Sequence, residues 1–284
     1  MTYAITGSTG PFGTTAIRRL LDWKVPASSI VAVARDEGKA APLKALGIQV
    51  RLASYEDGAA LEKALKGVDR LLLVSGSEVG KRIEQHRNVI EAAMKNGVKL
   101  VVYTSIARAD TSTNPLAPEH VATEALLKGS GIPFAVVRNN WYTENYANDL
   151  KQAAATGIIE AAAGEGKVCS ATRSEYAEAA ARVLSSEAPA GKVYELSGEA
   201  WDYAELARVA SELLGRSVVY KAVSPEDRTA HLVQVGLPPG VAAFVASLDQ
   251  AAAAGTLSHA GADLEKLLGR KPKSLKDGLA ESLG

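Results

Sequence analysis

Over its first half the chain alternates between two hydrophobic periods. Apolar, β-rich runs stand at 3–6, 30–34, 48–53, 71–74, 100–104 and 134–138, and amphipathic stretches of helical period fill 12–23, 37–46, 58–65, 80–96 and 120–130. Several of the short runs carry no polar alternation, as in Leu71-Leu72-Leu73-Val74 and Leu100-Val101-Val102-Tyr103. A strand that is apolar on both faces must be covered on both faces, which is the condition of a parallel sheet between helices. Short links between strand and helix then give right-handed βαβ units, so the expectation is an α/β fold with a doubly wound parallel sheet.

After Arg138 the rhythm changes. A polar, aromatic segment, 139–146, leads into a predicted helix ending near Gly157. Short strands follow at 158–161 and 193–196, with a helix at 175–184 between them. Asp202 and Glu205 are spaced as a capping box, opening a helix that closes at Gly215. Pro225, Pro238 and Pro239 punctuate the remaining helices. With no internal repeat and no linker, two parts are expected: residues 1–150 as a nucleotide-binding domain and 151–284 as a smaller α/β substrate lobe. The boundary is approximate, and a cleft is expected between them.

The sharpest local motif is Gly7-Ser8-Thr9-Gly10-Pro11-Phe12-Gly13, directly after a strand and before a helix. In that context Gly7 permits the tight turn, Gly10 lets backbone approach a pyrophosphate, and Gly13 allows close helix–sheet contact. The helix then points unpaired N–H groups and its positive end at the phosphates. Pro11 suits a first turn, where no N–H partner is lost. The spacing is G-x-x-G-x-x-G rather than G-x-G-x-x-G, so the motif gains its meaning from the five βα units behind it.

The ribose is read at the end of the second strand, where an acid favours NAD and an arginine accommodates the 2′-phosphate of NADP. Here Arg35 holds that place and Asp36 follows. A guanidinium pairs bidentately with phosphate, so NADPH is expected, with NADH as the second choice. The alternative is a solvated Arg35, with Asp36 capping the next helix.

The whole chain resembles the NmrA-like atypical short-chain dehydrogenase/reductases, and within them type 2 NAD(P)H:quinone oxidoreductases and triphenylmethane reductases. The residues that carry this are Ile5-Thr6-Gly7-Ser8-Thr9-Gly10, Val25-Pro26-Ala27-Ser28, Ser75-Gly76-Ser77-Glu78-Val79-Gly80, Gln85-His86-Arg87-Asn88, Tyr103-Thr104-Ser105, Arg138-Asn139-Asn140-Trp141-Tyr142 and Ser170-Ala171-Thr172-Arg173. The resemblance implies cofactor contacts from Gly7, Thr9, Gly10, Pro11, Phe12, Gly13, Arg35, Ser75, Gly76, Ser77, Thr104, Asn140, Trp141 and Tyr142. It implies substrate contacts from Ser77, Tyr142 and Thr172. It also implies a planar acceptor such as a quinone. One departure is Ser54, where the family often has an acid against the adenine.

The chemistry is less legible. Carbonyl-reducing short-chain dehydrogenases use a serine and then Tyr-x-x-x-Lys; here Ser105 is present, but the next helix reads His120-Val121-Ala122-Thr123-Glu124. A His120/Glu124 pair four residues apart is either a proton shuttle or a buried strut. His120 and Tyr142 are the catalytic candidates. Trp141, Tyr142 and Tyr146 either stack the acceptor or fill the core. Glu78 and His86 either border the pocket or pack the following helix. Quinone reduction fits the missing donor, because binding, orientation and exclusion of water remain the main tasks. The competing classes are a dinucleotide-sensing regulatory module without turnover and a triarylmethane dye reductase.

Composition sets the outer limits. The 32 basic and 32 acidic residues cancel, which disfavours nucleic acid and anionic membrane as partners. The single cysteine, Cys169, cannot form an intramolecular disulfide and reads as a packed thiol, and no metal site is expected. The N-terminus reads at once as a strand, and no run approaches the roughly 18 apolar residues of a membrane helix. A cytoplasmic protein is expected, and a homo-oligomer is compatible with the sequence.

Overall fold

A computed structural model describes residues 1–187 and 189–283. In chain order its elements are β1 (Tyr3–Ile5), α1 (Pro11–Asp22), β2 (Ile30–Ala34), α2 (Glu37–Ala45), β3 (Gln49–Leu52), α3 (Gly58–Ala64), β4 (Arg70–Leu73), α4 (Arg82–Lys95), β5 (Leu100–Ile106), α5 (Ala117–Ser130) and β6 (Phe134–Asn139). There follow α6 (Ala147–Thr156), β7 (Ile158–Ala161), α7 (Arg173–Ser185), β8 (Val193–Leu196), α8 (Tyr203–Leu214), β9 (Val219–Ala222), α9 (Pro225–Gln234), α10 (Pro239–Ala253), α11 (Asp263–Leu268) and α12 (Leu275–Leu283).

Seven strands form one parallel sheet in the order β3-β2-β1-β4-β5-β6-β8. Alternate residues of each central strand enter two different cores. Ile5, Ala32, Leu72, Val102 and Val137 pack with α1 and α7 on one face. Ala4, Val31, Leu71, Val101 and Val136 pack with α3, α4 and α5 on the other. This double burial is what the unbroken apolar runs require. The order reverses between β1 and β4, so the β1–α1 and β4–α4 turns open side by side at the carboxyl edge, where such sheets bind ligands.

The second part is less simple than a division at residue 150. β7 and β9 make a separate two-stranded parallel sheet, around which a third core forms. β8, however, pairs with β6 and extends the main sheet, while α7 joins the core beneath α1. The chain therefore leaves the nucleotide-binding part, returns to it at 173–196, and leaves again. A sequence read strand by strand gives the strands but not their partners, and β8 has no local mark of the sheet it joins.

Caps differ in one place. Asp202 accepts the Glu205 N–H at 2.9 Å, but the Glu205 carboxylate turns to Arg208, so only half of the expected box forms. The complete box belongs to Thr172 and Glu175, at the start of α7. Among the described residues no helix is long and apolar enough to cross a membrane, and no group of three or more His, Cys, Asp or Glu is placed to hold a metal.

Candidate active site

The glycine loop has the geometry its spacing implies. Gly7 takes φ +57°, a left-handed conformation open to glycine. A Cβ on Gly13 would lie 2.5 Å from the Gly7 carbonyl oxygen and 2.7 Å from Ser8 Cα, so glycine is what lets α1 approach the turn. Pro11 is the first residue of α1, and no side chain caps that helix. A helix start without a cap leaves backbone donors for a ligand. Gly7 is exposed, Thr9 and Gly10 half-buried, and Pro11 exposed, so this face meets solvent. The Phe12 side chain instead lies in the core with Ile5 and Ala16, which restricts any ligand contact to its backbone.

Arg35 directly follows β2, its side chain 70% exposed and Nη1 3.3 Å from Glu78 Oε1. Glu78 is also held by Lys81 at 3.2 Å, and Lys81 by Glu56 at the same distance. Hydrogen bonding from Lys81, and then from Arg35, keeps the Glu78 carboxyl below its ordinary pKa. Asp36 caps α2 through Lys39 N–H at 3.0 Å, so its carboxylate is engaged by the helix start. Ser54 accepts the Glu56 N–H, and beside it the Tyr55 hydroxyl lies 2.6 Å from both Thr6 Oγ1 and Val74 O, tying the β3 and β4 ends to β1.

Residues 75–77 follow β4, and their inward groups are met by the protein. Ser75 N–H donates to Thr104 Oγ1 (2.8 Å), Gly76 N–H donates to His86 Nε2 (2.9 Å), and Gly76 O accepts from Arg82 Nε (2.6 Å). Thr104 is thus a buried support rather than an open contact. Because His86 Nε2 accepts, its Nδ1 carries the proton and donates to Thr123 Oγ1 at 2.9 Å. Burial, with Arg82 nearby, pushes the His86 pKa down to about 4, which holds this neutral tautomer. Arg82 and His86 sit one turn apart on α4, so helical spacing was the signal for this support. The sequence reading left His86 without a role.

His120 and Glu124 do not act together. His120 Nδ1 lies 2.7 Å from the Tyr103 hydroxyl, and burial, with Arg82 and His86 adding to it, lowers its pKa to about 3. Glu124 accepts from Ser105 Oγ (2.6 Å) and from both Nε and Nη2 of Arg138. Arg138 also reaches Asp110 and Glu195, each at 3.0 Å. These are struts between α5 and the sheet, and the proton-shuttle alternative fails on geometry. Likewise Cys169 is fully buried, which raises its thiol pKa to about 11.

The segment after β6 divides its side chains. Trp141 packs on the core of the second part, with Tyr146 in it, whereas Tyr142 packs on the main-sheet core. The Tyr142 ring lies 5.6 Å from that of Tyr176, under the Arg173 guanidinium at 5.0 Å. Burial raises its phenol pKa, with Asn139 and Arg173 pulling the other way, so the hydroxyl keeps its proton at neutral pH. Asn140 Nδ2 donates to Leu257 O and His259 O at 3.2 Å, pinning the two parts together. Asn139 was missed in the sequence. It is 3% exposed at the end of β6, and its side-chain amide has the Tyr142 hydroxyl beside it and meets no other partner. Thr172 is 2% exposed and bonded to the Glu175 carboxylate at 2.9 Å, a helix cap rather than an open substrate contact.

An uncapped helix behind a glycine turn, an arginine just after the second strand, and a buried amide at the end of the sixth all meet one sheet edge. They define a Rossmann-type oxidoreductase domain built for NADP. Residues 1–278 match the model of the NmrA-like family, and the chain belongs to that family. It is 48% identical over 278 residues to quinone oxidoreductase 2 of Escherichia coli K12, covering 98% of this chain and 97% of that one. The crystal structure of the E. coli enzyme with NADPH superposes with a TM-score of 0.96 at 46% identity, all of both chains being covered. Triphenylmethane reductase of Citrobacter sp. gives 0.95 at 39% identity, over 100% of this chain and 99% of that one.

Proposed function

We propose that the protein is an NADPH-dependent reductase whose acceptor is a quinone or a similar planar molecule. The observation that carries the cofactor half is the free α1 start behind Gly7, Gly10 and Gly13, with Arg35 as the phosphate reader. NADPH, when bound, supplies the hydride. Backbone N–H groups of the glycine loop would hold its pyrophosphate, and Arg35 would trade its contact with Glu78 for the 2′-phosphate. Ser75, Gly76 and Ser77 wall the site, with His86 and Arg82 fixing the backbone behind them. The Tyr142 hydroxyl remains protonated and serves to orient an acceptor oxygen. A quinol oxygen does not need a strong acid, so the missing Tyr-x-x-x-Lys pair is compatible with turnover. The part built around β7 and β9 serves as the substrate lobe, and its residues at 168–171 bridge to Trp141 and Trp201.

Arg35→Ala tests the reading. It removes one charge-assisted contact and leaves Glu78 facing the phosphate, so the NADPH Kd is expected to rise about 10- to 100-fold while the NADH Kd stays within about twofold. Equal effects on both dinucleotides, or none, would remove Arg35 as the reader. Consumption of NADPH is then followed with a panel of quinones and cationic dyes. Tight NADPH binding without turnover on any acceptor would overturn the enzyme assignment.

A further inference from the structure

The cluster around Arg35 holds more than one cation. Lys81 directly precedes α4, and its Nζ lies 3.2 Å from Glu78 Oε2, while Arg35 Nη1 lies 3.3 Å from Glu78 Oε1. One carboxylate is thus gripped by a cation at each oxygen. Carboxylate and phosphate present pairs of oxygens at similar spacing, so two cations that span the first also span the second. Glu56 Oε1 accepts from the same Lys81 Nζ at 3.2 Å and anchors the ammonium from the segment after β3.

The backbone beneath these side chains is fixed. Lys81 N–H donates to Glu78 O at 3.2 Å and closes a turn. Glu119 of α5 accepts the Gly80 N–H at 2.9 Å and the Arg82 N–H at 3.3 Å, which ties that turn to the next helix. The side chains themselves are freer, those of Lys81 and Glu78 being 60% and 38% exposed. Rotation about its own bonds carries the Glu78 carboxylate into water without moving the wall of the site. Two cations and two carboxylates balance while Glu78 stays in the cluster. With Glu78 turned out, the cations are in excess by one, beside the place where Arg35 reads the ribose.

We propose that Lys81 is a second reader of the 2′-phosphate of NADPH, and that Glu78 is a tethered competitor for it, standing between Arg35 and Lys81 where the phosphate binds. This rests on the NADPH reading of Arg35 and adds to it two residues of opposite effect. An ion pair that only held the turn would behave differently: breaking it from either end would act in one direction, and on both dinucleotides alike.

The probes are adenosine 2′,5′-bisphosphate and 5′-AMP, which differ by the one phosphate, titrated calorimetrically into the full-length protein alongside NADPH and NADH. Lys81→Met keeps the stem and removes the charge. The bisphosphate and NADPH are expected to bind about 3- to 10-fold more weakly, as for a solvent-screened charge-assisted contact, with 5′-AMP and NADH within about twofold. Glu78→Gln is expected to do the reverse, tightening the bisphosphate and NADPH about 3- to 10-fold. The double variant separates direct contact from an effect through Glu78. Adding Lys81→Met to Glu78→Gln is expected to cost the bisphosphate the same about 3- to 10-fold, and no change there overturns Lys81 as a reader. Weaker NADPH binding in Glu78→Gln, or an equal change with NADH, overturns Glu78 as the competitor. If Arg35→Ala leaves the preference for the bisphosphate over 5′-AMP intact, the reading of Arg35 itself fails. If Arg35→Ala erases that preference while Lys81→Met and Glu78→Gln leave it unchanged, Arg35 stands and the roles of Lys81 and Glu78 fall.

Discussion

Replacing Gly13 by alanine tests the packing that holds the phosphate loop. The new Cβ would sit 2.5 Å from the Gly7 oxygen, 2.7 Å from Ser8 Cα and 2.9 Å from the Gly7 carbonyl carbon. All three are backbone atoms, so no side chain can rotate away. Restoring ordinary contact near 3.5 Å requires α1 and the turn to part by about 1 Å. The far side of α1 offers no slack, because Ala16, Ile17 and Leu20 are fully buried against the sheet and α7. Overpacking of this kind costs about 1–3 kcal/mol, and Tm falls by about 2–4 °C per kcal/mol in a chain of this size. Widening the turn also moves the Gly7–Gly10 backbone from the helix start, and losing one or two N–H contacts weakens NADPH about 10-fold or more. Thermal melts and NADPH titration read both effects. Gly129→Ala is the control: it lies in α5 with nothing within 4 Å of its Cβ, so the same substitution is expected to stabilise by up to about 1 kcal/mol. If Gly13→Ala melts and binds like wild type, the close approach of helix and turn does not shape the site.

Thr172→Ala removes the cap of α7 and is expected to cost about 1 kcal/mol of stability while the acceptor KM stays within about twofold. A raised KM at unchanged Tm would return Thr172 to the substrate. The pH dependence has a defined sign. His86 is neutral when folded, its pKa lowered from 6.5 to about 4, so its contribution is complete above pH 6.5 and is lost as pH falls toward 4. His86→Gln keeps an acceptor for Gly76 N–H, and chemical denaturation is expected to show its stability gap from wild type shrinking by about 1.4 kcal/mol per pH unit across that window. A gap independent of pH would mean that His86 is solvated.

Much of the main sheet was readable because burial on both faces leaves a mark in each strand, and the residues at 30–34, 158–161 and 193–196 are strands to the residue. The glycine turn was readable for a similar reason, since steric demands act within seven residues. What escaped depends on contacts far along the chain. Nothing near 193 tells that β8 will pair with β6, and nothing near Asp202 tells that Glu205 will prefer Arg208. His120 and Glu124 share a helix face, yet Tyr103 and Arg138 compete for them from neighbouring strands. Asn139 looked like any polar residue ending a strand, because having only the Tyr142 hydroxyl beside it is visible only when all its neighbours are in place.

The late return of the chain to the main sheet bears on how the protein is made. α1 carries the phosphate loop, but part of its cover comes from α7, whose Tyr176, Ala177, Ala180 and Leu184 share its core, and α11 packs in turn on α7. A nascent chain that has emerged only to residue 150 has every nucleotide-binding residue of the first two βα units, yet leaves one flank of α1 facing water. Full cofactor affinity is therefore expected only once α7 has been made and has packed on α1. Transplanting residues 1–150 alone into another scaffold would carry the loop without the packing that sets its shape.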